Sequence, residues 1–171
     1  MVYNYSEDLK VAKEAAEKAS EIIRNYSTSE SFSVRLKGKN DLVTEADVAS
    51  EKEIISTIKK AFPVDEFLAE ESNTKTKLPD GRVWIIDPID GTTNFAHGFP
   101  VYCISIALWV DGVPKVGLIK EVAKGELFWA IAGEGAFLDG KEIRVSKTSD
   151  PSTSLIGTGF PYTAFKDVDK Y

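Results

Sequence analysis

The sequence predicts an α+β fold in which two long helices pack against an antiparallel sheet. Apolar residues recur at steps of three and four through roughly the first third of the chain, as they do in amphipathic helices. From residue 66 onward, short apolar segments alternate with turn pairs, which is typical of strands joined by hairpins. A chain of 171 residues, 43% of them hydrophobic, is long enough to form one domain with its own core.

The first helix is predicted over residues 7–26. Its apolar residues form one stripe: Leu9, Ala12, Ala16, Ala19, Ile23 and Tyr26. We expect Ser6 to cap the amino-terminal end, where Glu7 and Asp8 also suit the positive end of the helix dipole. A basic stretch over residues 35–40 then predicts a mobile loop.

A second helix is predicted from about Thr44 to Ala61, closed by Pro63. Its expected apolar face consists of Val48, Ile55, Ile58 and Phe62. The sequence of the remaining chain predicts strands over residues 66–69, 83–86, 102–110, 115–122, 126–132 and 143–145. A polar loop over residues 72–81 separates the first two strands, and Asp-Gly and Lys-Gly pairs mark the later turns.

Composition narrows the class of protein. The formal net charge is −6 and the pI is about 4.9, and the sequence has no long basic run. Such an acidic chain is expected to bind cations more readily than nucleic acid. The sequence has neither an apolar run long enough for a membrane span nor a secretory signal at its start. Its single cysteine, Cys103, fits a reducing compartment. We therefore expect a cytoplasmic protein that binds neither membranes nor nucleic acid.

The strongest motif is W-I-I-D-P-I-D-G-T-T-N-F, over residues 84–95. An apolar strand leads directly into Asp87 and Asp90, and Gly91 permits a sharp turn and a close approach of the backbone to a ligand. A short helix beginning at Thr92 would present free N–H groups to an anion. One turn could thus offer carboxylates to Mg²⁺, which prefers hard oxygen ligands, and amides to a phosphate.

Each acidic segment also has a purely structural interpretation. The D-x-x-D-G pattern alone is equally compatible with an Asx-rich turn. Thr44 and Asp47 have the spacing of a helix-capping box, and Glu70 with Glu71 would ordinarily be solvated charges. Taken one at a time, these residues leave the choice between structure and chemistry open.

Their joint occurrence closely resembles the inositol monophosphatase family. Residues 84–95 match its W-I-[IV]-D-P-[IL]-D-G-T-T-N-F signature, and residues 41–47, D-L-V-T-E-A-D, match a segment at the start of its second helix. Residues 68–72 resemble its G-E-E-S segment with Ala69 in place of glycine, and residues 133–137 its G-x-G-A-F hairpin. The resemblance implies one domain over residues 1–171, forming the amino-terminal portion of a layered αβαβα fold.

The resemblance also implies a chemistry: lithium-sensitive, Mg²⁺-dependent hydrolysis of a phosphate monoester by a metal-activated water, with two or three ions. Glu70, Asp87 and the carbonyl of Ile89 would hold the first ion. Asp87 would bridge to a second ion, which Asp90 also binds. Members of the family commonly form homodimers.

The catalytic pair implied by the resemblance is Asp47 and Thr92, which would orient or activate the attacking water. The N–H groups of Gly91 and Thr92 would hold the phosphate. The full set of residues implied to contact substrate comprises Glu70, Ile89, Asp90, Gly91 and Thr92.

The substrate implied is a small phosphorylated polyol or sugar, most simply inositol 1-phosphate, since Thr93, Asn94 and Phe95 follow the inositol phosphate branch. Other sugar or nucleotide phosphates remain alternatives. The family's second signature, W-D-x-A-A-G, supplies a further metal-binding aspartate beyond position 171. The resemblance therefore also allows a second interpretation, in which this chain is an inactive metal-binding or partner-binding module.

Overall fold

A computed structural model describes residues 3–28, 34–38, 41–72 and 80–157 of the chain. Among them, two long helices lie on one face of a seven-stranded sheet, beside a two-stranded hairpin, and a third, short helix follows the fourth strand. The helices are α1 (Ser6–Ser27), α2 (Glu45–Ala61) and the short α3 (Thr92–Ala96). The hairpin comprises β1 (Val34–Gly38) and β2 (Asp41–Thr44). The sheet comprises β3 (Glu66–Ala69), β4 (Arg82–Asp90), β5 (Cys103–Val110), β6 (Val113–Glu121), β7 (Leu127–Ile131), β8 (Gly135–Leu138) and β9 (Lys141–Ile143), in that spatial order.

Helix α1 confirms the predicted stripe but not the predicted cap. Leu9 and Ile23 are buried with the alanines between them, and Tyr26 packs against the same core. Ser6 is already helical, and Tyr5 occupies the cap position without a side-chain hydrogen bond. The Oδ1 atom of Asn4 accepts the Ser6 N–H at 2.8 Å, so Asn4 satisfies a donor at this end of the helix instead.

Helix α2 begins where predicted, with Thr44 as its cap, and its predicted apolar face lies against the core except at Val48. Val48 is 47% exposed, whereas Ile54 and Ile58 are fully buried. The helix also turns polar side chains inward, among them Asp47 and Glu51. Counting only apolar residues places Val48 on the buried face. Asp47 and Glu51 are buried instead, because hydrogen-bond partners satisfy their carboxylates.

The predicted mobile loop over residues 35–40 is wrong for residues 35–38, which form β1 and pair antiparallel with β2. Residues 39 and 40 lie outside the described part of the chain. So do residues 73–79 of the predicted polar loop and the chain from residue 158 onward.

The sheet is mostly antiparallel, as predicted, with one exception. Strand β3 runs parallel to β4, with Ala69 opposite Ile86, and every later neighbouring pair is antiparallel. Strand β4 is longer than the predicted segment 83–86 and continues through Pro88 to Asp90. The parallel pairing brings the carboxyl ends of β3 and β4 to the same edge of the sheet.

The core lies between the helices and one face of the sheet. Its largest fully buried side chains include Trp84, Ile23, Ile54, Ile104, Leu108 and Leu118. Strands β5 to β9 bound, on the opposite face, a shallow apolar cavity of about 270 Å³ whose lining includes Ala107, Ile119 and Phe128. Within the described residues, no helix is long and apolar enough to cross a membrane.

An ion-pair network closes the end of the sheet where β4 begins. The guanidinium of Arg82 donates to the buried carboxylates of Asp8 and Asp65, and the Trp84 Nε1–H donates to Asp65 at 2.8 Å. The rings of Tyr3 and Phe62 lie 5.6 and 5.1 Å from that guanidinium. The network ties α1, the segment after α2, and β4 together at the end away from Asp87 and Asp90.

Candidate active site

The candidate site lies at the carboxyl end of β4, where the strand is bent by a bulge. Asp87 pairs with Ser105 and Asp90 with Cys103, so β4 carries one residue more than β5 across this interval. Pro88 has no N–H to give to the ladder, and the Ile89 N–H instead donates to Asp87 Oδ1 at 3.1 Å. The bulge places two aspartates at the end of one strand.

Gly91 connects the strand end to α3. Its φ is +100°, and a Cβ atom here would lie 3.0 Å from the Val101 carbonyl oxygen and 3.2 Å from the Tyr102 Cβ. Only glycine fits both the backbone conformation and the space. Helix α3 then begins at Thr92, as predicted, with the Phe95 N–H donating to the Gly91 carbonyl at 3.0 Å.

Glu70 joins this strand end through the parallel pairing of β3 with β4. Its N–H donates to the Ile86 carbonyl at 3.1 Å, and its side chain hydrogen-bonds to the carboxyl group of Asp87. Burial, the charge and hydrogen bond of Glu70, and the charge of Asp90 raise the pKa of Asp87 to about 7. The carboxyl group of Asp87 therefore keeps its proton to a higher pH than an ordinary aspartate.

Asp47 reaches the same region from the first turn of α2. It is fully buried, and its Oδ2 accepts hydrogen bonds from the N–H and the hydroxyl of Thr44. Its Oδ1 lies 3.1 Å from Thr92 Oγ1, which also lies 3.0 Å from the Ile89 carbonyl oxygen. Burial raises the pKa of Asp47, although the hydrogen bonds from Thr44 and Thr92 oppose the shift.

The two interpretations of Thr44 and Asp47 are therefore compatible. The capping box is present, because Thr44 Oγ1 accepts the Asp47 N–H while the Asp47 carboxylate accepts the Thr44 N–H. The second oxygen of the same carboxylate faces Thr92. Asp47 thus caps α2 and also contacts Thr92 at the start of α3.

The oxygen atoms of Glu70, Asp87 and Asp90 are suitable ligands for a divalent cation, but these side chains are not arranged around a common point. In the described part of the chain, no three His, Cys, Asp or Glu side chains lie close enough together to ligate one metal ion. Glu70 contacts Asp87 directly, while Asp90 acts on Asp87 through its charge. A cation would relieve the repulsion that raises the pKa of Asp87, and all the available ligands are the hard oxygens that Mg²⁺ prefers.

Sequence reasoning missed Glu51, which lies four residues after Asp47 on α2. Glu51 is 3% exposed, and its Oε2 accepts the Glu71 N–H at 2.7 Å. The helical spacing from Asp47 was visible in the sequence, because residues four apart share a helix face. A glutamate at such a position is nevertheless most often solvated, so the pattern alone did not single it out.

Two residues near the motif have modest roles. The thiol of Cys103 is half-buried, and burial together with Asp90, Asp87 and Glu121 raises its pKa to about 11. His97 is exposed, with Nδ1 2.7 Å from the Thr93 carbonyl oxygen. A thiol held in its protonated form is a poor ligand for Mg²⁺.

Comparison with known proteins shows similarity to one family. The model of the inositol monophosphatase family matches residues 4–170. Inositol monophosphatase 1 of Solanum lycopersicum is 46% identical over 155 residues, covering 89% of this chain and 56% of the relative. The Nus factor SuhB of Escherichia coli K12 is 39% identical over 164 residues, covering 95% and 61%.

A solved inositol monophosphatase from Anabaena (Nostoc) sp. PCC 7120 superposes with a TM-score of 0.81 at 38% identity, covering 96% of this chain and 59% of that one. The chain thus spans a little under two thirds of the length of the relatives it matches. The sequence match and the structural match extend over nearly all of the present residues, and the chain belongs to the inositol monophosphatase family.

Proposed function

We propose that this protein hydrolyses a phosphate monoester with Mg²⁺ as cofactor, and that inositol 1-phosphate is its substrate. The observation that carries the proposal is the meeting, at one strand end, of the Glu70–Asp87–Asp90 carboxylates with the hydrogen-bonded pair of Asp47 and Thr92. A carboxylate cluster suits cations, and the adjacent pair suits the handling of a water. Both are needed for metal-assisted hydrolysis.

In this proposal Glu70, Asp87, Asp90 and the carbonyl of Ile89 hold two or three Mg²⁺ ions. When bound, Mg²⁺ supplies positive charge that polarises the phosphate and lowers the pKa of water. The protein's part is to present oxygen ligands around one edge of the sheet and to keep them close despite their mutual repulsion. Burial raises the pKa of Asp87 most, and the repulsion from Glu70 and Asp90 adds to the shift.

Asp47 and Thr92 are proposed to orient the attacking water. The Thr92 hydroxyl has one proton, and when it donates to Asp47 Oδ1 its oxygen lone pairs are free to accept a hydrogen from water. Asp47 can then take up the Thr92 proton as Thr92 takes the water's proton, which makes the pair a short relay. The raised pKa of the buried Asp47 favours this uptake.

The phosphate is proposed to bind at the turn after β4. Gly91 and Thr92 have backbone N–H groups at the start of α3, and the missing side chain of Gly91 lets a ligand approach the backbone closely. Glu70, Ile89 and Asp90 would border the same ligand through the ions they hold. Inositol 1-phosphate is the first choice of substrate because the tomato relative is named an inositol monophosphatase and a solved dual specific IMPase/NADP phosphatase is bound with D-inositol-1-phosphate.

Three further properties, two expected from family resemblance and the last from composition, need separate measurements. They are inhibition by Li⁺, formation of a homodimer, and action in the cytoplasm. Addition of LiCl to the phosphatase assay tests the first, and light scattering of the purified protein tests the second. Fractionation of the source cells tests the third.

A second candidate is a partner-binding module without activity. The partly exposed apolar face of strands β5 to β9 favours it, as does the 39% identity to a protein named as a Nus factor. Under this proposal the chain would bind a partner protein and release no phosphate.

Phosphate release from inositol 1-phosphate, measured with and without Mg²⁺, distinguishes the two. We expect Mg²⁺-dependent release that is lost in Asp87→Asn and retained in Asp111→Asn. Asp111 lies in a turn at φ 51°, a conformation that asparagine adopts readily, so this control removes a carboxylate without disturbing the site. Equal release by the two variants, or release unaffected by a chelator, would contradict the enzymatic proposal.

A further inference from the structure

We propose that Glu51 is a positioning residue that holds Glu70 in place for metal binding. The inference rests on the proposed metal site, which it deepens by naming the group that fixes one ligand. It starts from the buried carboxylate of Glu51 and its 2.7 Å hydrogen bond to the Glu71 N–H.

Glu70 lies where the chain leaves the sheet. On its amino-terminal side the backbone is fixed, because Ala69 pairs with Ile86 and the Glu70 N–H donates to the Ile86 carbonyl at 3.1 Å. Beyond Glu70 the β3 ladder has ended. The next N–H, that of Glu71, donates to the side chain of Glu51, so the backbone on both sides of Glu70 is held by hydrogen bonds.

Helix α2 carries both Glu51, which holds the backbone beside Glu70, and Asp47, which forms the proposed catalytic pair with Thr92. Asp47 and Glu51 are four residues apart and therefore lie on one face, one helical turn from each other. Asp47 contacts Thr92 at the start of α3, and Glu51 accepts the N–H of Glu71, the residue after Glu70. The helix thereby sets the position of two separate parts of the site with two carboxylates.

A purely structural role would not require a charge here. Burying a carboxylate costs free energy that a neutral acceptor would avoid, and a charge-assisted hydrogen bond to an N–H offsets only part of that cost. A firm hold on a metal ligand is a reason to accept the cost. In metal sites, groups that orient the ligands typically contribute about 10- to 100-fold to metal affinity.

The test measures Mg²⁺ affinity by calorimetry and the exchange rate of the Glu71 amide by NMR. Glu51→Ala should weaken Mg²⁺ binding by about 10- to 100-fold and speed exchange of the Glu71 amide. Glu51→Gln keeps an oxygen acceptor but loses the charge, so its Mg²⁺ affinity should lie between those of Glu51→Ala and the wild type. Ile54→Ala removes a buried side chain from the same helix and controls for lost stability.

The outcomes separate this inference from the function beneath it. If the wild type binds Mg²⁺ but folded Glu51→Ala binds it equally well, or Ile54→Ala weakens binding as much, the positioning role is wrong and the proposed function stands. If the wild type binds no divalent cation, both proposals fail. Should Glu51→Ala not fold, Glu51→Met, which fills the space without an acceptor, takes its place.

Discussion

The raised pKa of Asp87 predicts that the metal-free protein loses stability as the pH rises towards neutrality. The ordinary value for this carboxyl is 3.8 and its value in the folded protein is about 7. Between these two values the folded state holds a proton that the unfolded state has released. The stability present below pH 3.8 is therefore lost as the pH rises through about 7.

The expected size follows from linkage. Each pH unit within that window costs about 1.4 kcal/mol for a fully protected group. Asp87 is partly exposed, and solvent screening reduces the effect, so we expect a loss of roughly 1 kcal/mol between about pH 5.5 and pH 7.5. For a chain of 171 residues this corresponds to a fall in Tm of about 2–4 °C.

Thermal unfolding across this pH range, with and without Mg²⁺, is the assay. Mg²⁺ binds the deprotonated carboxylates, so it should raise the Tm more at the higher pH and cancel the decline. Asp87→Asn should abolish both the pH effect and the Mg²⁺ effect, whereas Asp111→Asn should change neither. All of these measurements are made in a His97→Gln background, so that titration of the only histidine does not contribute to the pH dependence of the Tm.

The reasoning is refuted if the Tm of the metal-free protein is flat or rises over this range in the His97→Gln background. It is also refuted if Asp87→Asn retains the wild-type slope. A decline that Mg²⁺ leaves unchanged would confirm the raised pKa but contradict the metal site.

Three further substitutions have definite expected outcomes. Thr92→Val removes the hydroxyl bonded to the buried Asp47 and should lower kcat by about 100-fold or more, with a loss of about 1–3 kcal/mol in stability; Thr92→Ser should retain most activity, and equal loss of activity in both variants would contradict the proposed relay. Arg82→Met leaves the buried carboxylate of Asp8 without its partner and should destabilise the protein by about 3–5 kcal/mol in urea unfolding, and a change below about 1 kcal/mol would show that the network contributes little. Gly91→Ala meets both a positive φ and a contact at 3.0 Å, so a loss of about 1–3 kcal/mol is expected, and wild-type stability would show that the turn relaxes freely.

Much of the fold could be predicted because hydrophobic periodicity follows from which face is buried. The α1 stripe and the strand β3 were predicted almost to the residue. Periodicity was right for most of the apolar face of α2 but wrong at Val48, and it did not reveal that Asp47 and Glu51 also point inward. Those polar side chains are buried because partners elsewhere in the chain satisfy them, which local sequence does not reveal.

The identities of the candidate site residues came from motifs, but their arrangement required the fold. Glu70 and Asp87 meet because β3 pairs parallel to β4, and a pattern of apolar segments does not specify the direction of pairing. Glu51 carries no motif that distinguishes it from a solvated glutamate. Its role became visible only through its burial and its hydrogen bond to the Glu71 N–H.

The electrostatics of the strand end argue for a ligand on physical grounds alone. Asp47 is buried with a raised pKa, Glu51 is buried, and Asp87 holds a raised pKa under the influence of Glu70 and Asp90. A domain selected only for stability would lower its free energy by replacing several of these carboxylates with neutral side chains. At the other end of the same sheet, the buried carboxylates of Asp8 and Asp65 are matched by Arg82. Within the described residues, no such cation is seen to pair with Asp47 or Asp87, and a divalent cation would offset both the burial of these carboxylates and the repulsion of Asp87 by Glu70 and Asp90.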